Sequence, residues 1–482
     1  MRDFRELQGR EVQIPCALKA WRPAGIVAPI SRLFREFIMD HGRTKRAYVH
    51  TWGCQMNEHK SEGIAGVLAA EGYELTERME QADLVVFNTC MVREKALDKM
   101  LSQAGLVRQL KERKPHLLLG IGGCAAQALK EQLFQRTRYA ADFIFGSSQI
   151  AEVPRLIRQA QARSEGTSVM AMERIPDRLE ELPFLNSSPF QAKLTITEGC
   201  SNFCSFCIVP YTTGLLRSRL PGAILAEAAE LERQGYQEVQ LLGQNVDSYG
   251  KDLKDPAIHF AGLLRAFARL NIPRIRFTSS HPKDITEGVI QVMAEPNNIC
   301  EHLHMAVQSG SDRVLENMRR GYTKSRFLTL VEQIKRDVPH VNVTTDIIVG
   351  YPGETETDFE ETVDLVGRAR FGGAYIFKYS PRPGTISFLK YEDDVPLVEK
   401  QRRLDKLLRI QKQITAEENE SCMGTVQEVL VEGIARDQVR LLAKTRTNKT
   451  VVFHGRRSLI GKRVEVRMLD SDAGGLYGEV FP

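Results

Sequence analysis

Short apolar runs alternate with helical patterns over residues 46–163. The runs Ala47–Thr51, Leu84–Asn88, Leu117–Ile121 and Asp142–Phe145 read as strands, and Ser61–Ala70, Glu94–Arg113 and Ala125–Gln135 read as helices between them. This order predicts a parallel α/β sheet domain over 46–163. Periodicity is lost over 164–190, where Ser, Pro and Glu mix, and that stretch reads as a linker. A second series predicts strands at Ala192–Thr197, Glu238–Leu242, Arg274–Thr278, Leu303–Val307, Val341–Val349 and Ala374–Phe377, with helices such as Ile224–Gln234 and Phe327–Arg336 between them. Six such βα units over 191–395 favour a partial (β/α)6 barrel over a flat sheet.

Residues 396–420 form one amphipathic connecting helix, with Leu404, Leu407, Leu408 and Ile414 on one face. Over 421–482 helical signal vanishes, and Thr425–Val431, Lys449–Phe453 and Arg463–Met468 predict a small all-β barrel. The fold class is therefore α/β, with an all-β module at the end.

Composition changes little in this picture. The 482 residues suffice for several domains, and a hydrophobic fraction of 42% can fill their cores. The net charge of +5 permits a polyanionic partner without demanding one. No apolar run is long enough to span a membrane. Residues 1–45 are Arg-rich but carry Asp3, Glu6, Glu11 and Glu36 and no secretory pattern; they read as a poorly ordered extension. The expectation is a cytoplasmic protein that makes no membrane contact and acts as a monomer.

The cysteines carry the chemistry. There are nine: Cys16, Cys54, Cys90, Cys124, Cys200, Cys204, Cys207, Cys300 and Cys422. A large chain without a secretion signal does not suggest a disulfide framework. Cys200-Ser-Asn-Phe-Cys204-Ser-Phe-Cys207 places three thiols in eight residues, just past the first strand of the second series. Its C-x3-C-x2-C spacing differs from the paired C-x2-C units of structural zinc, and no fourth ligand follows. Three thiolates on a four-iron cluster leave one iron open to a small ligand. A zinc site borrowing a distant ligand is the alternative. Cys54, Cys90 and Cys124 each follow a different strand of the first domain, so the three thiols can converge on one sheet edge. Three unrelated half-buried cysteines would fit position alone as well. Cys16, Cys300 and Cys422 have no such placement and read as structural.

With these motifs in view, the chain resembles a known family. Thr51-Trp-Gly-Cys54-Gln-Met-Asn57, Asn88-Thr-Cys90, Gly123-Cys124 and the three-cysteine motif resemble the radical S-adenosylmethionine (SAM) methylthiotransferases. So do Leu241-Leu-Gly-Gln-Asn-Val-Asp-Ser-Tyr249, Thr278-Ser-Ser-His-Pro282, Gln308-Ser-Gly-Ser-Asp312, Asp346-Ile-Ile-Val-Gly-Tyr-Pro-Gly-Glu-Thr355 and Tyr379-Ser-Pro-Arg-Pro-Gly-Thr385. The resemblance runs from about Arg46 to the C-terminus. It implies a methylthiotransferase domain with a 4Fe–4S cluster on Cys54, Cys90 and Cys124. It also implies a radical SAM partial barrel with a second 4Fe–4S cluster on Cys200, Cys204 and Cys207, and a C-terminal TRAM barrel that grips RNA. SAM contacts would come from Phe206, Gln244, Asn245, Ser309, Gly310, Asp346 and Gly350, although Gly350-Tyr-Pro-Gly353 reads equally as an ordinary turn. No catalytic side chain is implied beyond the cluster ligands.

The implied reaction adds a methylthio group to C2 of N6-isopentenyladenosine in a tRNA anticodon stem–loop. One SAM would donate the methyl group, and a second would furnish the radical after reduction by a low-potential electron donor. An unactivated C–H bond lies beyond side-chain acid–base chemistry, which is why a cofactor-borne radical is needed. Basic residues Arg436, Arg440, Lys444, Arg446, Lys449, Arg456, Arg457, Lys462 and Arg463 suit an RNA backbone. Two other readings stay in play: methylthiolation of threonylcarbamoyladenosine or of a ribosomal-protein aspartate, and a non-catalytic iron–sulfur RNA-binding protein. The chain departs from the family pattern at Thr213, Leu215 and Leu216, where Arg, Arg and Glu are usual, and at Ala306, where Pro is usual.

Overall fold

The computed structural model of the chain describes residues 44–91, 94–162, 169–172, 179 and 182–481. The extension expected at the N-terminus, with Cys16, and much of the expected linker lie outside them. Strands β1 (Arg46–Trp52), β2 (Glu74–Leu75), β3 (Leu84–Thr89), β4 (Leu118–Gly122), β5 (Phe143–Phe145) and β6 (Val169–Ala171) form one parallel sheet in the order β2-β1-β3-β4-β5-β6. Alternation along β3 sends Val85 and Phe87 to one core and Leu84 and Val86 to the other. Helix Glu94–Arg113 covers the first face with Met100, Ala104 and Val107; helix Gln55–Ala70 covers the second with Ile64, Val67 and Leu68. Both faces being covered explains why these strands read as continuous apolar runs.

The expected linker is partly structural. Three of its residues make β6, an edge strand too short for a periodic signal, whose Ala171 is buried. Residues 182–190 then strap across helix Gln55–Ala70. The Leu185 amide donates to the Glu62 carbonyl at 3.1 Å, and the Ser187 hydroxyl donates to the Glu62 carboxylate at 2.5 Å. Phe184 stacks on the His59 ring at 4.2 Å. Gly66 makes this approach possible, because a Cβ there would lie 2.0 Å from the Pro183 carbonyl oxygen. Gly66→Ala is therefore expected to cost about 1–3 kcal/mol by overpacking. Gly105→Ala, in helix Glu94–Arg113 with open space around it, should be neutral or stabilising by up to about 1 kcal/mol. Thermal denaturation of the two variants checks the contrast.

The central region begins with β7 (Gln191–Thr195), followed by a two-residue antiparallel ladder of β8 (Thr197–Glu198) and β9 (Arg217–Ser218). Then come β10 (Glu238–Leu242), β11 (Arg274–Phe277), β12 (His302–His304), β13 (Asn342–Val349) and β14 (Gly373–Lys378). Two parallel three-stranded sheets, β7-β10-β11 and β12-β13-β14, are joined by a parallel bridge between Ser280 and Met305. The six strands thus run in chain order, with helices such as Pro221–Arg233, Lys324–Asp337 and Glu356–Ala369 between them, as a partial barrel. Leu194, Val239, Leu241, Ile275, Phe277, Val343 and Ile347 belong to the core beneath the helices. Alternation leaves Lys193, Gln240, Arg276, His304, Thr344 and Asp346 on the opposite, inner face.

Helix Leu397–Glu420 leads into a closed barrel of β15 (Val426–Ile434), β16 (Leu441–Thr445), β17 (Thr450–His454), β18 (Arg463–Asp472) and β19 (Gly475–Val480). Two of these strands, β16 and β19, go beyond the three that the sequence predicts. The barrel sits at the N-terminal ends of the central strands. Arg274, fully buried, donates to the carbonyls of Lys444 at 2.8 Å and Glu428 at 2.9 Å. Arg276 donates to the carbonyls of Thr445 at 2.6 Å and Arg446 at 2.7 Å. Asn342 adds a bond to the Thr447 carbonyl at 2.8 Å.

Candidate iron–sulfur and SAM site

Register brings the first three cysteines to one edge. Trp52 pairs with Thr89, and Asn88 pairs with Gly122. Cys54 and Cys124 come two residues past their paired strand ends, and Cys90 comes one residue past. The Cys90 amide donates to the Trp52 carbonyl at 2.9 Å. Cys54 caps helix Gln55–Ala70 and Cys124 opens helix Cys124–Leu129. Gly123 has φ +93°, and a Cβ there would lie 2.4 Å from Asn88 Oδ1, so the Cys124 turn passes tightly over β3. Burial pushes the Cys124 thiol pKa up; Lys60 opposes this and Cys54 adds to it.

The second three cysteines lie in a loop closed by β8 and β9. The Cys200 amide donates to the Gly214 carbonyl at 3.1 Å, and the Leu216 amide donates to the Ser201 hydroxyl at 3.1 Å. Gly199, at φ +76°, allows the two arms to touch, since a Cβ there would be 2.1 Å from the Leu215 carbonyl oxygen. Burial pushes the Cys207 thiol up to about 12, and Cys204 and Cys200 add to the rise. A thiol so placed ionises readily only when a metal takes its proton's place.

Arg320 tests whether a metal cluster fits this loop. It is 4% exposed, and its Nη1 donates to Cys204 Sγ at 3.2 Å. Its other bonds go to the Ala306 carbonyl and, at 3.0 Å, the Tyr322 hydroxyl. Among the described residues no carboxylate pairs with it. A buried guanidinium requires an anion, and a metal-held Cys204 thiolate supplies one. His281 Nε2 stands 3.9 Å from the same sulfur, its pKa lowered to about 2 by burial and by Arg320. Among the described residues no three His, Cys, Asp or Glu side chains meet around one ion.

The two cysteine groups are joined by contacts that sequence reading missed. Lys60 donates to the Ser147 carbonyl at 2.6 Å and to Glu198 at 3.2 Å, and Glu198 also pairs with Arg217 at 3.2 Å. The Ser147 hydroxyl donates to the Thr212 carbonyl at 3.1 Å. Thr213 Oγ1 lies 3.9 Å from Cys124 Sγ, and Thr213 is 1% exposed. This departure from the family pattern therefore faces the first cysteine group. Leu215 is 57% exposed and Leu216 is buried. The Ala306 amide donates to the Ser280 carbonyl at 3.3 Å, a bond that proline could not make.

The residues proposed for SAM gather past the C-terminal strand ends, except Asp346. Phe206 packs on the cluster of Val314, Met318, Tyr351 and Tyr379. Gln244 has a buried Oε1 without a hydrogen-bond partner among the described residues. The Asn245 side chain is taken up by Ser248, Asp284 and the His281 amide. Ser309 sits 3.4 Å from the Thr362 hydroxyl. Gly310 and Gly350 are closely packed. A Cβ would lie 2.4 Å from the Glu361 carbonyl oxygen at Gly310 and 2.3 Å from Lys400 Cγ at Gly350. Asp346 lies within β13 and meets His304 Nε2 at 3.2 Å.

Next to Asn245, Asp247 is buried and forms no ion pair among the described residues. Burial, with Asp284 adding, pushes its carboxyl up to about 7. The unfolded chain releases this proton near pH 4 and the folded chain near 7, so stability falls as pH rises through that window. Asp247→Asn should remove the penalty and stabilise the protein at pH 8 by on the order of 2 kcal/mol, with a smaller gain at pH 5. Denaturant titrations at the two pH values check this.

Residues 46–146 match the uncharacterized protein family UPF0004, residues 194–366 the radical SAM superfamily, and residues 420–481 the TRAM domain. The tRNA-2-methylthio-N(6)-dimethylallyladenosine synthase of Thermoanaerobacter sp. is 44% identical over 449 residues, covering 92% of this chain and 94% of that protein. Its namesake from Carboxydothermus hydrogenoformans is 43% identical over 438 residues, covering 90% of this chain and 99% of that protein. Among solved structures, the radical S-adenosylmethionine methyltransferase TsrM from Kitasatospora setae, with cobalamin and a 4Fe–4S cluster bound, aligns with a TM-score of 0.54 at 14% identity over 80% of each chain. That likeness is one of fold. With the three domains matched in order and such identity along nearly the whole length, this chain belongs to the radical SAM methylthiotransferases, in the family of the tRNA-2-methylthio-N(6)-dimethylallyladenosine synthases.

Proposed function

We propose that this protein attaches a methylthio group to C2 of an N6-isopentenylated adenosine in the anticodon stem–loop of tRNA. One observation carries the reading: two groups of three cysteines lie on loops tied together through Lys60, Glu198 and Arg217, with Thr213 of the second loop against Cys124 of the first. Cys200, Cys204 and Cys207 would hold one 4Fe–4S cluster, and Cys54, Cys90 and Cys124 the other. Bound there, open-sided clusters supply the one-electron and sulfur chemistry that an unactivated C–H bond demands.

The chain's own residues prepare that chemistry. Gln244 offers an unused buried acceptor to SAM, Phe206 offers an apolar wall, and Asn245 and Ser309 hold the surrounding loops. The tied loops fix the two cysteine groups relative to each other, as reacting atoms held at near-attack distance require. RNA contacts fall to Arg436, Arg456, Arg457 and Lys462, which are exposed. Arg446, Lys449 and Arg463 are instead engaged with Glu301, Asn419 and Glu428. We expect a monomer in the cytoplasm, supplied by a low-potential electron donor; no helix among the described residues is long and apolar enough to cross a membrane.

Anaerobic assays on stem–loops with and without the isopentenyl group test this. Methylthio-isopentenyladenosine should appear by nucleoside mass spectrometry from the modified substrate alone, and the protein should carry about eight irons. Product from a threonylcarbamoylated substrate instead would replace the assignment. No SAM cleavage at all would favour a non-catalytic RNA-binding protein.

A further inference from the structure

Arg320 has a role beyond satisfying a buried sulfur. Its segment is clamped to the cysteine loop: the Ser205 amide donates to the Met318 carbonyl at 3.0 Å, and the Ser205 hydroxyl donates to the Asn317 carbonyl at 2.7 Å. The Arg320 amide donates back to the Leu315 carbonyl at 2.9 Å, so the residue hangs from a fixed turn. All its side-chain partners are acceptors. The Ala306 carbonyl is neutral, and Tyr322 spends its own proton on the Val307 carbonyl at 2.8 Å and so offers only a lone pair. Cys204 Sγ, at 3.2 Å, is the partner able to carry negative charge. A full positive charge is therefore held, away from water, against one ligand sulfur of the three-cysteine site.

We infer that Arg320 is a positioning residue that raises the reduction potential of the cluster on Cys200, Cys204 and Cys207. This rests on the cluster assignment proposed above. One-electron reduction adds a negative charge to the cluster. The electron comes from the external low-potential donor, iron is reduced, no bond forms or breaks, and Arg320 keeps its protons. A fixed cation in a low-dielectric setting favours the more negative, reduced form. Hydrogen bonds to ligand sulfur act in the same direction.

The test uses full-length protein in which Cys54, Cys90 and Cys124 are replaced by Ala, so that one cluster is observed. It is reconstituted without oxygen and titrated with dithionite under electron paramagnetic resonance. Arg320→Gln should shift the midpoint potential to more negative values, and Arg320→Lys, which keeps the charge, should stay near the parent. An unchanged potential in Arg320→Gln overturns the inference. If Arg320→Gln loses its iron while Arg320→Lys keeps it, the charge serves to hold the cluster rather than to tune it, and the inference is overturned. Loss of iron from both variants, with circular dichroism unchanged, overturns the tuning role, because the residue would then be required for the site to exist. A parent that binds no cluster refutes the cluster assignment itself and takes this inference with it.

Discussion

Cys204→Ala protein, reconstituted without oxygen, is expected to form no detectable 5′-deoxyadenosine while retaining about half the wild-type iron. The thiol removed is the one Arg320 addresses, so the variant loses a ligand and strands a buried guanidinium. Stranding such a charge costs about 3–5 kcal/mol, concentrated in the cysteine loop. Cys54, Cys90 and Cys124 hang from β1, β3 and β4, which pair with one another within the first sheet. Iron analysis and product detection check both halves of the prediction. Joint loss of both clusters would show that the two cysteine groups assemble as one unit.

Arg276→Ala is expected to weaken the seat of the C-terminal barrel by about 3–5 kcal/mol. The guanidinium is buried, pairs with Glu238 at 2.7 Å, and satisfies the Thr445 and Arg446 carbonyls. Its removal leaves a buried carboxylate and two carbonyls short of donors. Limited proteolysis should show earlier release of residues beyond 420, and denaturation should resolve into two steps. A single transition at the wild-type midpoint would mean that Arg274 and Asn342 carry the interface without it.

How much of this was legible in the sequence follows from the range of each interaction. The continuous apolar runs at 84–88 and 117–121 announced buried parallel strands because both faces of that sheet are covered. Once the strands were set, the edge position of Cys54, Cys90 and Cys124 followed from strand direction alone. Strand β6 and the β8–β9 ladder were missed because three residues and two residues carry no period. Lys60 reaches Glu198 across 138 positions of chain, and Arg320 reaches Cys204 across 116. Nothing local marks either pair. The basic residues of the last module read as one RNA-facing set, yet Arg446 is drawn inward by Glu301. Gly310 and Gly350 read as ligand contacts; nothing local showed that a Cβ at either would also meet neighbouring chain, the Glu361 carbonyl at Gly310 and the Lys400 side chain at Gly350.

The seating of the small barrel sets a length. It meets the central strands at Arg274 and Asn342, whereas the cysteine loop and Gly350 belong to their opposite ends. Strand β13 has eight residues between those levels, about 26 Å along the strand at the usual rise per residue. A molecule gripped at the foot and altered at the rim has to bridge most of that strand length. With RNA held at the barrel as proposed, a folded piece of nucleic acid can touch both levels at once, whereas a lone nucleoside can touch only one.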